Sequence, residues 1–166
     1  YRALQLTTGN YNTALGLQAG DVVTNGASNT LIGAHAGGLL TEGDHNTFVG
    51  VNSAGGTQDV NYTVIIGRDA ASVGNMTTGA DGTIAIGVES LNALTSGATN
   101  TAVGYKSQNV ITVGAKNTSL GYEALVFDVG GSRTTAIGES AARQQDGGDS
   151  ATNMDNVAIG HAALYY

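Results

Sequence analysis

Apolar and polar positions follow a fixed beat along this chain. The stretch "NTALG" at residues 12–16 returns as "NTLIG" at 29–33, "NTFVG" at 46–50, "NTAVG" at 100–104 and "NTSLG" at 117–121. With the closing glycine as anchor, the series runs Gly16, Gly33, Gly50, Gly67, Gly87, Gly104, Gly121, Gly138 and Gly160, with gaps of 17, 17, 17, 20, 17, 17, 17 and 22 residues. Equal gaps broken only by insertions of three and five residues mark an internal repeat. Immediately before the anchor every repeat has an aliphatic residue: Leu15, Ile32, Val49, Ile66, Ile86, Val103, Leu120, Ile137 and Ile159. Three places after it every repeat has a small one: Ala19, Ala36, Ser53, Ala70, Ser90, Ser107, Ala124, Ala141 and Ala163. Four places before it stands Asn or Thr throughout.

A second apolar patch follows most anchors, as Val22-Val23, Leu39-Leu40, Ala93-Leu94, Val110-Ile111 and Val126-Phe127. Turn clusters containing Gly26, Gly43, Gly97 and Gly131 come next, where a positive φ or a tight turn is expected. Each unit therefore reads as strand, glycine turn, strand, turn. Seventeen residues are too few for a helical repeat and miss the 18 of a triangular hexapeptide helix. The pattern predicts an all-β, parallel β-solenoid (β-roll) of about nine 17-residue coils over residues 1–166, a single repeat domain. Stacked at ~4.8 Å per coil, these make a rod of roughly 40 Å. The aliphatic column from Leu15 to Ile159 is expected to be the structural core, each side chain contributing about 1.5–3 kcal/mol. The small column is expected where backbone or a neighbouring chain comes close. The Asn/Thr column is expected to satisfy local backbone groups.

Composition narrows the picture. Hydrophobic residues make up 41% of the chain but aromatic ones only 5%, enough for a narrow core and not for a wide one. Twenty-six glycines and 11% charged residues would suit a disordered chain, but the fixed columns argue for order. Cysteine is absent, so disulfides and thiolate metal sites are excluded. A net charge of −7, with Arg2, Arg68, Lys106, Lys116, Arg133 and Arg143 scattered, argues against a nucleic-acid surface. No stretch reaches the ~18 apolar residues of a membrane helix, and no signal peptide is visible, so a soluble chain with no membrane insertion is expected.

The phrases "NTAVGYKS", "TTAIGESA", "NVAIGHAA" and "GTIAIGVES" resemble the repeat in the heads of trimeric autotransporter adhesins, which are left-handed parallel β-rolls. "NTALGLQAG" and "NTSLGYEAL" are similar to repeats of phage and bacterial tail-fibre proteins, which often end in an intramolecular chaperone that this chain lacks. The resemblance covers the whole chain, although the adhesin repeat is shorter than 17 residues. It implies a side-by-side homotrimer with the small-residue columns facing the shared axis, located outside the cell, on a cell surface or on a virion. The implied role is a structural and adhesive fibre segment of a phage tail fibre or bacterial surface adhesin. It would project or form a receptor-binding surface for a cell-surface glycan or protein. The alternative is an extracellular filament subunit assembling end to end. A carbohydrate-active tailspike would need a carboxylate pair in a groove, and the dispersed acids supply none, so no enzyme activity is expected. The chain begins and ends inside a repeat, as a segment of a longer fibre would.

Candidate chemistry is sparse. His35, His45 and His161 read as solvated turn residues. No cofactor is expected; the weak metal candidates are Asp146, Asp149 and Asp155, since calcium takes several oxygen ligands from a flexible loop. Loops inserted into a solenoid often carry binding. The receptor-contact candidates are therefore Asn75, Thr77 and Asp81 in the first insertion and Gln144, Asp146, Asp149 and Asp155 in the second. Tyr62, Tyr105 and Tyr122 could present an aromatic face for sugars or cover coil edges.

Overall fold

A computed structural model describes residues 2–165. Nine short parallel strands stack in one sheet: β1 (Thr13–Leu15), β2 (Thr30–Ile32), β3 (Thr47–Val49), β4 (Val64–Ile66), β5 (Ile84–Ile86), β6 (Thr101–Val103), β7 (Thr118–Leu120), β9 (Thr135–Ile137) and β11 (Val157–Ile159). The register is in phase from end to end, so that Thr13 meets Thr30, Ala14 meets Leu31 and Leu15 meets Ile32. Nine strands enclose eight turns of a parallel β-solenoid. Coils are numbered here by their anchors, from coil 1 at Gly16 to coil 9 at Gly160. A small second ladder pairs β8 (Gly131–Ser132) with β10 (Thr152–Asn153).

The expected second strand of each coil does not form as a strand in most coils. Turns replace it, and they still hydrogen-bond coil to coil, as in Gly20 N–H to Ala36 O at 3.0 Å and Thr24 N–H to Thr41 O at 2.9 Å. The turns depend on left-handed backbone at recurring places. The anchor glycines lie at φ from +122° to +140°, and at Gly16 through Gly138 an added Cβ would run into the next coil's backbone. Two and four places later, Gln18, His35 and Asn52 and then Gly20, Gly37 and Ala54 also have positive φ. Gly26, Gly43, Gly97 and Gly131 are a correction. Their φ is not left-handed; at the first three, a Cβ would collide with the next coil's carbonyl, and at Gly131 with the Asp128 carboxylate.

The core differs from the sequence expectation in one decisive respect. Side chains alternate across a strand, and the inward residue is the middle one: Leu31, Phe48, Ile65, Ala85, Ala102, Ser119 and Ala136 are fully buried. The aliphatic column expected as core faces outward instead. Leu15, Leu120 and Ile159 are 68%, 49% and 66% exposed, and Ile32, Val49, Ile66, Ile86, Val103 and Ile137 are half-buried. The small column, expected at a shared axis, lies inside its own coil, with Ala19, Ala36, Ser53, Ala70, Ser90, Ser107, Ala124 and Ala141 at 0% exposure. In six of the nine coils the inward strand residue is Ala or Ser, while coils 2 to 4 turn Leu31, Phe48 and Ile65 inward.

Within that narrow core, size is balanced across facing columns. Gly37 sits against Leu31 and Phe48. In later coils the strand residues shrink to Ala85, Ala102 and Ser119, and the column that held Gly37 holds Leu91, Gln108 and Leu125, all fully buried. Gln108 Nε2 donates to Ser119 Oγ at 2.7 Å, joining the two columns directly. From there the interior turns polar. Asp128, fully buried, accepts from Gly131 N–H at 2.6 Å, Gly147 N–H at 3.1 Å and Gln145 Nε2 at 3.2 Å.

The Asn/Thr column performs the backbone role expected of it, and it does so between coils. Asn46 Oδ1 accepts from Thr63 N–H at 3.0 Å while its Nδ2 donates to Val60 O at 2.7 Å. Asn29, Asn100 and Asn117 repeat the arrangement. A parallel column adds Asp44, Asn61 and Asp81, each accepting a backbone N–H from the preceding coil at 2.7–2.8 Å.

Candidate functional site

The largest chemical feature of the surface is the outer side of the nine-stranded sheet. Two columns face out along its length. One is aliphatic, from Leu15 to Ile159; the other runs Thr13, Thr30, Thr47, Val64, Ile84, Thr101, Thr118, Thr135 and Val157. The residue after the anchor widens the strip in some coils, with Leu17, Val51, Tyr105 and Tyr122 between 41% and 52% exposed, and interrupts it with Arg68, Glu139 and His161 in others. At ~4.8 Å per strand the strip is ~38 Å long. No charge falls in either strand column. The two strand columns thus form an uncharged strip of aliphatic and threonine side chains running the length of the sheet.

The flank of the strip carries most of the ordered charge. Lys106 Nζ lies 3.4 Å from Glu89 and over the Tyr105 ring. The Tyr105 hydroxyl and the Glu89 carboxylate beside it hold the Lys106 ammonium above its usual range. The Glu123 carboxylate raises the neighbouring Tyr122 phenol and the Arg143 guanidinium. Arg143 reaches Glu123 at 2.9 Å and packs over Phe127 and Tyr165. Tyr105 and Tyr122 stack on one another, centroids 5.3 Å apart and rings 11° from parallel, and His45 stacks on Tyr62 at 5.1 Å. Each pair covers one ring face of its partner along the rod, while Tyr62, Tyr105 and Tyr122 stay 67%, 41% and 50% exposed.

The insertions are only partly loops. In the first, Met76 and Ala80 are fully buried and residues Thr78–Ala80 form a 3₁₀ turn. Asn75 and Thr77 are exposed. Asp81 is half-buried and occupied by the N–H and side-chain amide of Asn61; its carboxylate is a coil-to-coil tie. Sequence reasoning missed this tie, although Asp44 and Asn61 at the equivalent place in earlier coils carried its signal. In the second insertion Gln144, Asp146 and Asp149 are exposed, and Asp146 accepts from Gly148 N–H at 2.8 Å. Asp155 pairs with Arg133 at 2.9 Å. The three aspartates are therefore not gathered into one ligand set. Among the described residues no group of three or more His, Asp or Glu side chains converges to hold a metal ion.

The histidines are likewise apart: His35 and His161 are exposed, with His161 4.0 Å from Glu139. Among the described residues no helix is long and apolar enough to cross a membrane. Compared with models of known protein families, with curated proteins and with solved structures, the chain matches none.

Proposed function

We propose that this chain is a structural and adhesive segment of an extracellular fibre, built by three copies packed side by side through the outer face of the nine-stranded sheet. The observation that supports the reading is the outward aliphatic ladder. Nine consecutive coils place Leu, Ile or Val on a face that their own chain does not cover. A mutation-selected surface has no reason to keep such a column for solubility, whereas a symmetric assembly can bury it. The axis in this reading is lined by the aliphatic and threonine columns, replacing the small-residue column, which its own coil consumes. The role is passive: the rod holds a recognition surface away from a particle or cell, and three copies give multivalent attachment. The side chains ordered by coil stacking are polar ties and apolar ladders, which fits a scaffold and not a catalyst.

The native mass tests this. The expected particle contains three chains of 16.6 kDa each. Open-ended polymers would instead favour the end-to-end filament, and a monomer at all concentrations would overturn both.

A further inference from the structure

The place five residues after the anchor changes character along the rod. In coils 5 and 6 it holds Asn92 and Asn109, whose side-chain amides donate to the Asp69 and Glu89 carbonyls of the preceding coil at 2.8 Å each. In coils 2 and 3 the same place is Gly38 and Gly55. With no side chain there, a surface groove of ≈ 240 Å³ opens across coils 1 to 3. On one side of the glycines in chain order are Gln18, His35 and Asn52; on the other are Val22 and Leu39. Asp21 also lines it. Its Oδ2 accepts from Gln18 Nε2 at 3.3 Å, while Oδ1 is screened from solvent and has no hydrogen-bond partner.

The groove offers the Asp21 carboxylate, the polar tips of Gln18, His35 and Asn52, the last with its amide N–H held by Asp69, and an apolar wall. We propose that it binds one neutral pyranose ring of a cell-surface glycan. A ring hydroxyl donates to the groove-facing side of the Asp21 carboxylate, other hydroxyls exchange hydrogen bonds with Gln18 and His35 or donate to the Asn52 side-chain carbonyl, and a C–H face of the ring lies on Val22 and Leu39. The volume suits one sugar unit, being smaller than the ~300–1,000 Å³ of sites for drug-sized ligands. Asp21 and the net charge of −7 select against anionic sugars. This assignment rests on the fibre reading for its purpose, and supplies that reading with a ligand class: three grooves per trimer, each weak alone, add up through avidity.

Saturation-transfer NMR tests it on the intact chain, with the methyl glycosides of glucose, galactose, mannose and N-acetylglucosamine as probes and N-acetylneuraminic acid as the anionic comparison. Gly38→Asn copies the residue found in coils 5 and 6 into a position whose φ is not left-handed, and fills the groove. Asp21→Ala removes the acceptor. At least one neutral glycoside should give a signal on the natural chain. That signal should vanish in Gly38→Asn and bind about tenfold more weakly in Asp21→Ala, as expected for a hydrogen bond to a charged group. The proposal is overturned if no neutral glycoside binds the natural chain, if both variants retain the signal, or if the anionic sugar binds as well. Each sample's mass and circular dichroism are recorded alongside. A monomeric mass would sink the fibre reading without touching this result, and absent binding by an intact trimer would sink the groove alone.

Discussion

At the scale of single residues, the asparagine four places before the anchor shows how a chain with few large side chains holds its coils together. One Asn side chain joins two coils, accepting from a backbone N–H and donating to a backbone carbonyl. The value of such a tie lies in what its loss exposes. In Asn46→Ala, Val60 O and the N–H and hydroxyl of Thr63 lose their partner in a buried setting. At about 1–3 kcal/mol for each stranded group, the loss should exceed about 3 kcal/mol. Asn12 makes the same kind of tie, donating to Gly26 O at 2.7 Å and accepting from Asn29 N–H at 2.9 Å, but is itself half-buried in the first coil, where water has more access to the groups its loss would free. Asn12→Ala should cost about 1 kcal/mol or less. Urea unfolding of the two variants measures the difference, and equal costs would mean that burial does not decide the tie's worth. The backbone role of this column was legible from sequence because Asn and Thr recur where a coil turns. Its span between coils was not, since a one-dimensional pattern does not show which carbonyl lies overhead.

At the scale of elements, parity within a three-residue strand decided the fold's inside and outside. Leu15 and Ala14 are both apolar, and in most coils the two columns offer one branched and one small residue. Hydrophobicity alone assigns the larger to the core, and here that rule points the wrong way. The interior admits a large side chain only where the facing column is small. This makes Leu91 a keystone, because its strand neighbours are Ala85 and Ala102. Leu91→Ala should leave a cavity and cost about 2–5 kcal/mol, and adding Ala102→Leu should recover a large part of it. Denaturant unfolding of the two single variants and the double gives the coupling energy. A double variant no more stable than Leu91→Ala would show that the columns do not share space.

The flanking ion pairs act on the same elements from outside. Lys106 and Tyr122 both hold their protons more tightly when folded, above the ordinary 10.5 and 10.0. The folded state therefore binds more protons than the unfolded one just above those values, and stability falls as pH rises through the window. The contribution is present in full below about pH 10 and is lost above it. Thermal unfolding between about pH 9 and 11.5 should show the decline. It should be shallower in Glu123→Gln, which removes the main cause of the Tyr122 shift, and in Glu89→Gln, which removes the support that Glu89 adds to the Tyr105 hydroxyl at Lys106. Both groups are open to solvent, so the effect should be small.

At the scale of the whole molecule, the repeat period and the parallel stack were readable, because a 17-residue beat needs no knowledge of three dimensions. The groove was not, because its signal is a missing side chain, and glycine in a turn-rich sequence reads as another turn. The outer face was hidden for a different reason: an aliphatic column that faces outward reads in sequence like one that fills a core. The two uses separate in experiment. Ile66 and Ile86 are register partners on the outward face. Replacing them with Glu and Lys places an opposite-charge pair across adjacent strands, a pairing that a solvated sheet tolerates. If the face is open to water, the double variant should lose only part of two half-buried aliphatic contacts. If it lines a trimer axis, six charges enter a dry seam, at several kcal/mol per ion. The fold should then survive while the assembly fails. The expected result is a mass falling from three chains to one with the circular dichroism unchanged. A three-chain particle that persists with both substitutions would move the interface off the sheet. Loss of both mass and fold would mean that the coils cannot stand without their neighbours, as thin solenoids with uncovered faces often cannot.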